Sequence, residues 1–191
     1  MTIQRVVEAD AAALAAIYAS YVTDTAISFE YDAPTVEEFA RRIREISARY
    51  PYLKAVDEDG TVLGYAYATE FKWRKAYNWA VETTVYLRTD AKGQGIGRAL
   101  YAALEEALRS MGVCNMNACI TSPRGEDPYL TDASPRFHAA VGFSLVGVFH
   151  QVGHKFGRWY DMMWMEKSIS PHREPQPPVR FGEWTLSEER T

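Results

Sequence analysis

The stretch from Trp79 to Gly112 constrains the fold most strongly, because its hydrophobic period changes from two residues to about 3.6 across a glycine-rich turn. In WAVETTVYLR, Trp79, Val81, Thr83, Val85 and Leu87 fall on one face of a strand, and Ala80, Glu82, Thr84 and Tyr86 on the other. Glu82 therefore projects from the middle of a central strand. The run Lys92-Gly93-Gln94-Gly95-Ile96-Gly97-Arg98 follows and leads into RALYAALEEALRSMG, where Ile96, Leu100, Leu104 and Leu108 repeat every four residues. Ala103, Ala107 and Met111 widen that stripe, and Gly112 is placed to end the helix.

Elements of both kinds surround this unit. A strand over 3–7 precedes a helix that Asp10 can cap, with Leu14, Ile17, Tyr18 and Tyr21 at helical spacing. Thr35 and Glu38 make a capping-box pattern ahead of a second helix carrying Phe39, Ile43 and Ile46. Strand-like residues 52–56 and 62–69 are joined by Asp57-Glu58-Asp59-Gly60, an Asp-Gly hairpin signal. Past the glycine-loop helix, 113–121 reads as a strand, 134–141 as a short helix, and 143–149 with 160–166 as a closing pair of strands. Residues 122–131 are a polar excursion over the surface, rich in Pro and Gly. From Ser168 onward four of the chain's nine prolines occur without any periodic pattern, so 168–191 is expected to be an extended proline-rich tail beside one domain over 1–167. The class is α/β, with a mixed, mostly antiparallel central sheet flanked by helices.

Composition removes several classes of function. A chain of 191 residues has room for one sizeable core, and its net charge of −4 supplies no general basic field, so no nucleic-acid partner is expected. There is no run of about 18 apolar residues, and Glu8 and Asp10 interrupt the amino terminus where a signal peptide needs an apolar core. No membrane association is expected, and the protein is expected in the cytoplasm. Cys114 and Cys119 lack the second cysteine pair or histidine cluster of a tetrahedral metal site, so both read as packing residues, with no disulfide and no metal.

Successive N–H groups at a helix N-terminus form a concave donor site for phosphate oxygens. Gly93, Gly95 and Gly97 let the main chain approach a diphosphate, and Lys92 and Arg98 add positive charge; the same glycines also suit a tight strand-to-helix connection. A dinucleotide fingerprint needs G-x-G-x-x-G in an early βαβ unit, and a triphosphate loop needs Gly-Lys-Ser/Thr where this chain has Gly97-Arg98-Ala99. The spacing that fits is Q/R-x-x-G-x-G/A with Lys92 in the first position, and in it the chain resembles the GCN5-related N-acetyltransferase (GNAT) superfamily. The segments ISFEY, FKWRKAYNWAVETTVYL, SPRFHAAVGF and VGHKFGRWYDMMWM carry a closer similarity, over Ile3 to Lys167, to phosphinothricin acetyltransferases and their methionine sulfoximine/sulfone-acetylating relatives.

That resemblance implies a GNAT fold with acetyl-CoA as co-substrate at splayed central strands. Residues Lys92, Gly93, Gln94, Gly95, Ile96, Gly97 and Arg98 would meet its pyrophosphate, and Val85, Tyr86 and Leu87 its pantetheine arm and, through backbone N–H groups, the reacting oxyanion. Thr131 stands where the family has a CoA-binding asparagine, and Ser134 is retained beside it. An ammonium has no lone pair, so a carboxylate must take its proton; Glu82 matches the catalytic glutamate, with a solvent-facing or Arg74-paired glutamate as the competing reading. His138 matches the family histidine and would donate or relay a proton, the alternative being a helix histidine bonded to a backbone carbonyl. His154, in the GHKFGRW segment, would border the pocket or a subunit interface.

For a small amino acid bearing a tetrahedral anionic group, Arg74 would bind the oxyanion bidentately, with Lys72, Tyr77 and Thr121 in support and Phe29 and Trp73 as apolar walls. Otherwise FKWRKAY is a solvated basic loop. The resemblance also implies a homodimer. Two other functions fit the same fold: acetylation of another amine (a polyamine, another amino acid or a protein amine), and a CoA-binding module without turnover.

Overall fold

The two-residue alternation of the strands sorts the interior into two layers. In the computed structural model, which describes residues 1–186, β1 (Thr2–Arg5), β2 (Tyr52–Val56), β3 (Val62–Glu70), β4 (Ala80–Leu87), β5 (Asn115–Ser122), β6 (Ser144–Lys155) and β7 (Arg158–Ser168) form one sheet. Leu53, Ala55, Ala66, Ala68 and Val81 face the stripe of α3 (Ile96–Met111), while Tyr52, Tyr65 and Tyr67 face α1 (Ala11–Asp24) and α2 (Val36–Ser47) on the opposite side. A short α4 (Ala133–Ala140) follows β5.

Strand order is β1-β2-β3-β4-β5-β7-β6, antiparallel at every neighbour except β4 and β5. Those two run parallel and pair only at Ala80–Asn115, Val81–Met116 and Glu82–Asn117. Beyond Glu82 they part, because β4 stays on β3 to Leu87 while β5 stays on β7 to Ser122. Asn117 closes the apex: its side-chain amide donates to Val81 O at 3.1 Å, and its carbonyl accepts from the Thr83 hydroxyl at 3.2 Å. The expected mixed, mostly antiparallel sheet is present, and its one parallel pair opens a wedge beside Glu82.

Several local expectations change. Thr35 caps α2 by accepting from Glu38 N–H at 3.2 Å, but the Glu38 carboxylate turns to Arg41 and Arg42, so the reciprocal half of the capping box is not made. Asp10 does not cap α1 with its side chain; it accepts from Val7 N–H at 2.8 Å and from Lys54 at 2.6 Å, tying the preceding turn to β2. The closing strands run longer than expected and carry a bulge, where the register jumps from Phe149–Met162 to Gly153–Tyr160.

The excursion over 122–131 packs down through Leu130, which is buried with Ala26 and Tyr160. The proline-rich segment is likewise anchored to the body of the protein. Ile169 and Trp184 join the main core, Trp79 donates its indole N–H to Pro177 O at 2.7 Å, and the Arg5 guanidinium lies 3.6 Å from the centre of the Trp184 ring. Short polar-and-proline segments lack a period that would announce this, because each contributes single anchors to a surface built by other elements.

Candidate active site

Glu82 stands at the point where β4 leaves β5, and the wedge beyond it opens into a cavity of about 610 Å³. Burial raises the Glu82 carboxyl above the ordinary glutamate range, against the opposing charge of Lys72. Glu82 makes no ion pair with Arg74, whose guanidinium lies 4.6 Å from the centre of the Trp73 ring. A desolvated carboxyl in a cavity is suited to taking a proton near neutral pH.

Across the wedge, α4 delivers His138, which is only 5% exposed. Its Nδ1 lies 2.8 Å from Ser134 O, an acceptor with no proton to give, so Nδ1 carries the hydrogen and Nε2 is bare. The Tyr101 hydroxyl, 2.9 Å away, then donates to Nε2, and its oxygen is 3.4 Å from Thr83 Oγ1. Burial holds His138 below its usual pKa, opposed by the Ser134 bond, and burial raises Tyr101 above the usual tyrosine value. His138 is therefore both the backbone-bonded histidine of the alternative reading and a member of the cavity wall.

A second groove, about 370 Å³, runs along the start of α3. Lys92, Gly93, Gly95, Ile96, Gly97 and Arg98 form one side of it, with Thr131, Ser134 and Leu87 opposite. Gly93 and Gly95 have φ of +79° and +81°, and an added Cβ at either would meet no atom within 4 Å. The glycines are thus required by backbone conformation, and that conformation presents a bare main chain at the N-terminus of a 16-residue helix. With two cations at its ends, this concave donor surface fits a diphosphate. Gln94 instead turns its amide to Asp90 O at 3.1 Å.

Groove and cavity share Ile27, Val85 and Ser134, so the two spaces meet. Just past β4, Arg88 N–H bonds Leu63 O of β3, whereas Leu87 N–H points the other way and donates to the Tyr21 hydroxyl at 3.2 Å. Alternation along the strand turns Val85 N–H to that same open side, at the junction. Tyr86 lines the cavity.

Of the residues expected at the acceptor, Phe29 and Thr121 line the cavity. Lys72 lies beside Phe71 and Trp164, near enough for its charge to act on Glu82. Trp73 is 76% exposed, and Trp73, Arg74 and Tyr77 all lie outside the cavity wall, because the β3–β4 connection turns them toward solvent. Tyr101, Tyr18, Glu30 and Cys119 are among the wall residues that escaped the sequence reading. Tyr101 was hidden inside an aliphatic helix stripe, although a buried tyrosine hydroxyl needs a partner and could have been singled out for that reason. Tyr18 and Glu30 sit on and after α1, Tyr18 donating to Glu30 at 3.0 Å and Arg42 pairing with Glu30 at 2.8 Å. Cys119, expected to pack like Cys114, instead lines the cavity, its thiol pushed up to about 11 by burial and the nearby Glu82.

Residues 3–164 match the family model described as an acetyltransferase (GNAT) domain. The chain is 37% identical over 166 residues to the phosphinothricin N-acetyltransferase of Streptomyces coelicolor, covering 85% of this chain and 93% of that protein. It is 36% identical over 169 residues to an L-methionine sulfoximine/L-methionine sulfone acetyltransferase of Pseudomonas paraeruginosa, covering 86% and 92%. A crystal structure of a GNAT superfamily phosphinothricin acetyltransferase from Sinorhizobium meliloti, in complex with acetyl-CoA, superposes with a TM-score of 0.81 at 34% identity over 95% of this chain and 98% of that one. A wedge between one parallel strand pair, a glycine-loop groove leading into it and these matches along nearly the whole chain agree: the protein belongs to the GNAT acetyltransferase family.

Proposed function

We propose that this protein transfers an acetyl group from acetyl-CoA to the amine of a small amino-acid-like acceptor of the phosphinothricin or methionine sulfoximine/sulfone type, directly and without a covalent enzyme intermediate. The observation that carries the reading is the junction at Val85 and Ser134, where the glycine-loop groove opens into the cavity holding Glu82. Bound acetyl-CoA supplies an acyl thioester. Residues 92–98 hold its diphosphate, with Thr131 and Ser134 on the facing wall, and Val85, Tyr86 and Leu87 flank the arm. Val85 N–H is the backbone donor for the carbonyl oxygen.

Glu82 takes the amine proton. Glu82 later returns that proton to solvent; as the amide forms, nitrogen gives up a second proton and the departing sulfur takes one up, so the two balance, the Tyr101 hydroxyl turning from His138 Nε2 to give its hydrogen to sulfur and regaining the one that nitrogen releases. His138 orients that hydroxyl rather than donating itself, since its own hydrogen is committed to Ser134 O. On the acceptor side, Phe29 and Thr121 form the wall and Lys72 is the cation whose charge reaches Glu82, with Trp73, Arg74 and Tyr77 on the adjoining loop.

The acceptor assignment is tested by kcat/KM for phosphinothricin, methionine sulfoximine, methionine sulfone and unsubstituted amino acids. At least one of the first three should exceed the unsubstituted set, and uniformly poor rates would remove this acceptor class. The reading includes a homodimer in the cytoplasm. What supports self-association is the row of exposed apolar residues Leu145, Val146, Phe149, Val152 and Trp159 on the β6–β7 edge, and light scattering should give twice 21.6 kDa, a monomer mass contradicting it. No helix among the described residues is long and apolar enough to cross a membrane.

A further inference from the structure

Four consecutive residues after α1, Ile27, Ser28, Phe29 and Glu30, line the cavity beside Glu82, yet they belong to no helix or strand. Such a wall must be held from outside. Three consecutive residues of β6 hold it. Gly153 lies directly beneath the Phe29 ring, so closely that a Cβ there would fall 2.1 Å from Phe29 Cζ. His154 O accepts from the Tyr31 hydroxyl at 2.5 Å.

Lys155 is 2% exposed, and its ammonium donates to Val22 O at 2.7 Å, Thr25 O at 3.0 Å and Ser28 O at 2.6 Å. All three N–H bonds are used, and every acceptor is a main-chain carbonyl. Val22 lies in the last turn of α1, where carbonyls lack helix partners and the helix dipole is negative. Thr25 and Ser28 are the next two points on the loop. Burying an ammonium is costly unless such bonds offset it, and here they pull one helix end and one loop onto one point. The excursion over 122–131 grips the same loop, with Ala26 N–H donating to Tyr129 O at 3.0 Å and Tyr129 stacked 4.3 Å from Phe156, the residue after Lys155.

We propose that Lys155, assisted by Gly153 and His154, is a positioning residue for the acceptor amine: it fixes residues 25–31 as the cavity wall against which the acceptor is held for Glu82. Lys155 touches no reacting atom and acts through Ser28 and Phe29. The inference rests on the acetyl-transfer reading of this cavity and deepens it by assigning acceptor affinity to a residue outside the cavity. It also gives the GHK part of the sequence and the 122–131 excursion a common role.

The test compares wild type with Lys155→Met and with the milder Tyr31→Phe, which removes one exposed hydroxyl. In Lys155→Met the acceptor KM should rise about tenfold or more while the acetyl-CoA KM stays within about twofold, because the groove meets the clasped segment only at Ile27 and its residues 92–98 belong to another part of the chain. Tyr31→Phe should raise the acceptor KM by a smaller factor of about two to three, again without moving that for acetyl-CoA. Hydrogen exchange of the ligand-free proteins should quicken over 26–31 and stay unchanged over 100–108 of α3. An unaltered acceptor KM, or acceptor and acetyl-CoA KM rising in parallel, overturns the proposal; if Lys155→Met does not fold, Tyr31→Phe decides by the same criteria. Should none of the proposed amines be acetylated, the acceptor assignment falls while unchanged exchange over 26–31 is what would overturn the clasp.

Discussion

Glu82 and His138 are shifted by the same cause in opposite chemical directions. Burial disfavours charge, so it raises the carboxyl and lowers the imidazole, leaving a base that titrates closer to neutrality and a histidine that stays uncharged there. As pH falls through the raised value, Glu82 gains a proton and ceases to accept one. The acid limb of kcat/KM should therefore lie above the ordinary glutamate range, with Glu82→Gln lowering kcat by about 10²–10⁴-fold and abolishing that limb. Tyr101→Phe should retain the limb and lower kcat, because it removes the proton held at His138 Nε2; a normal kcat would exclude Tyr101 from the reaction. The same shift has a stability sign. A carboxyl whose folded pKa is raised opposes folding at pH values above it, so Glu82→Gln should melt no lower than wild type at neutral pH, the difference vanishing as pH falls and Glu82 becomes neutral.

At the scale of elements, the β4–α3 connection and the β4–β5 fork do separate jobs. The connection needs left-handed backbone at Gly93 and Gly95, and it places N–H groups at a helix end. A side chain at residue 95 costs about 1–2 kcal/mol in that conformation. Gly95→Ala should relieve the strain by moving the loop, weakening acetyl-CoA binding by about tenfold in a titration while the acceptor KM at saturating acetyl-CoA changes little. Equal affinity would mean that the loop is only a connection. The fork needs no unusual residue; it exists because β4 and β5 each have another partner strand that keeps them diverging past Glu82.

Across the whole molecule, the C-terminal segment closes the end of the sheet remote from the site. Arg180 N–H bonds Met111 O at the C-terminus of α3, and the glycine loop lies at the other end of that 16-residue helix, about 24 Å away at about 1.5 Å per residue. Trp184 is 8% exposed and sits in the main core under Arg5. Trp184→Ala should cost about 3 kcal/mol and lower Tm by roughly 6–12 °C, with kcat at 25 °C unaffected. An unchanged Tm would show that the segment contributes no packing energy.

Periodicity and turn chemistry are local, so the chain alone determined the strand–loop–helix unit, the faces of β4, the stripe of α3 and, by resemblance, the acetyl-CoA family. Glu82 and the glycine loop were legible because each stands in a regular pattern that its residue type interrupts. Pairing between distant strands is not local: the resemblance implied splayed central strands, and only the tertiary structure decided that β5 is the neighbour and that it pairs with β4 no further than Glu82. The same holds for the bond from Tyr101 to His138, made between two helices 37 residues apart, and for the carbonyl cage around Lys155, whose partners lie 127 to 133 residues earlier. It also turned Trp73, Arg74 and Tyr77 outward and left Cys119 open to the cavity instead of packed like Cys114, since a loop or strand residue takes its surroundings from whatever the sheet packs beside it.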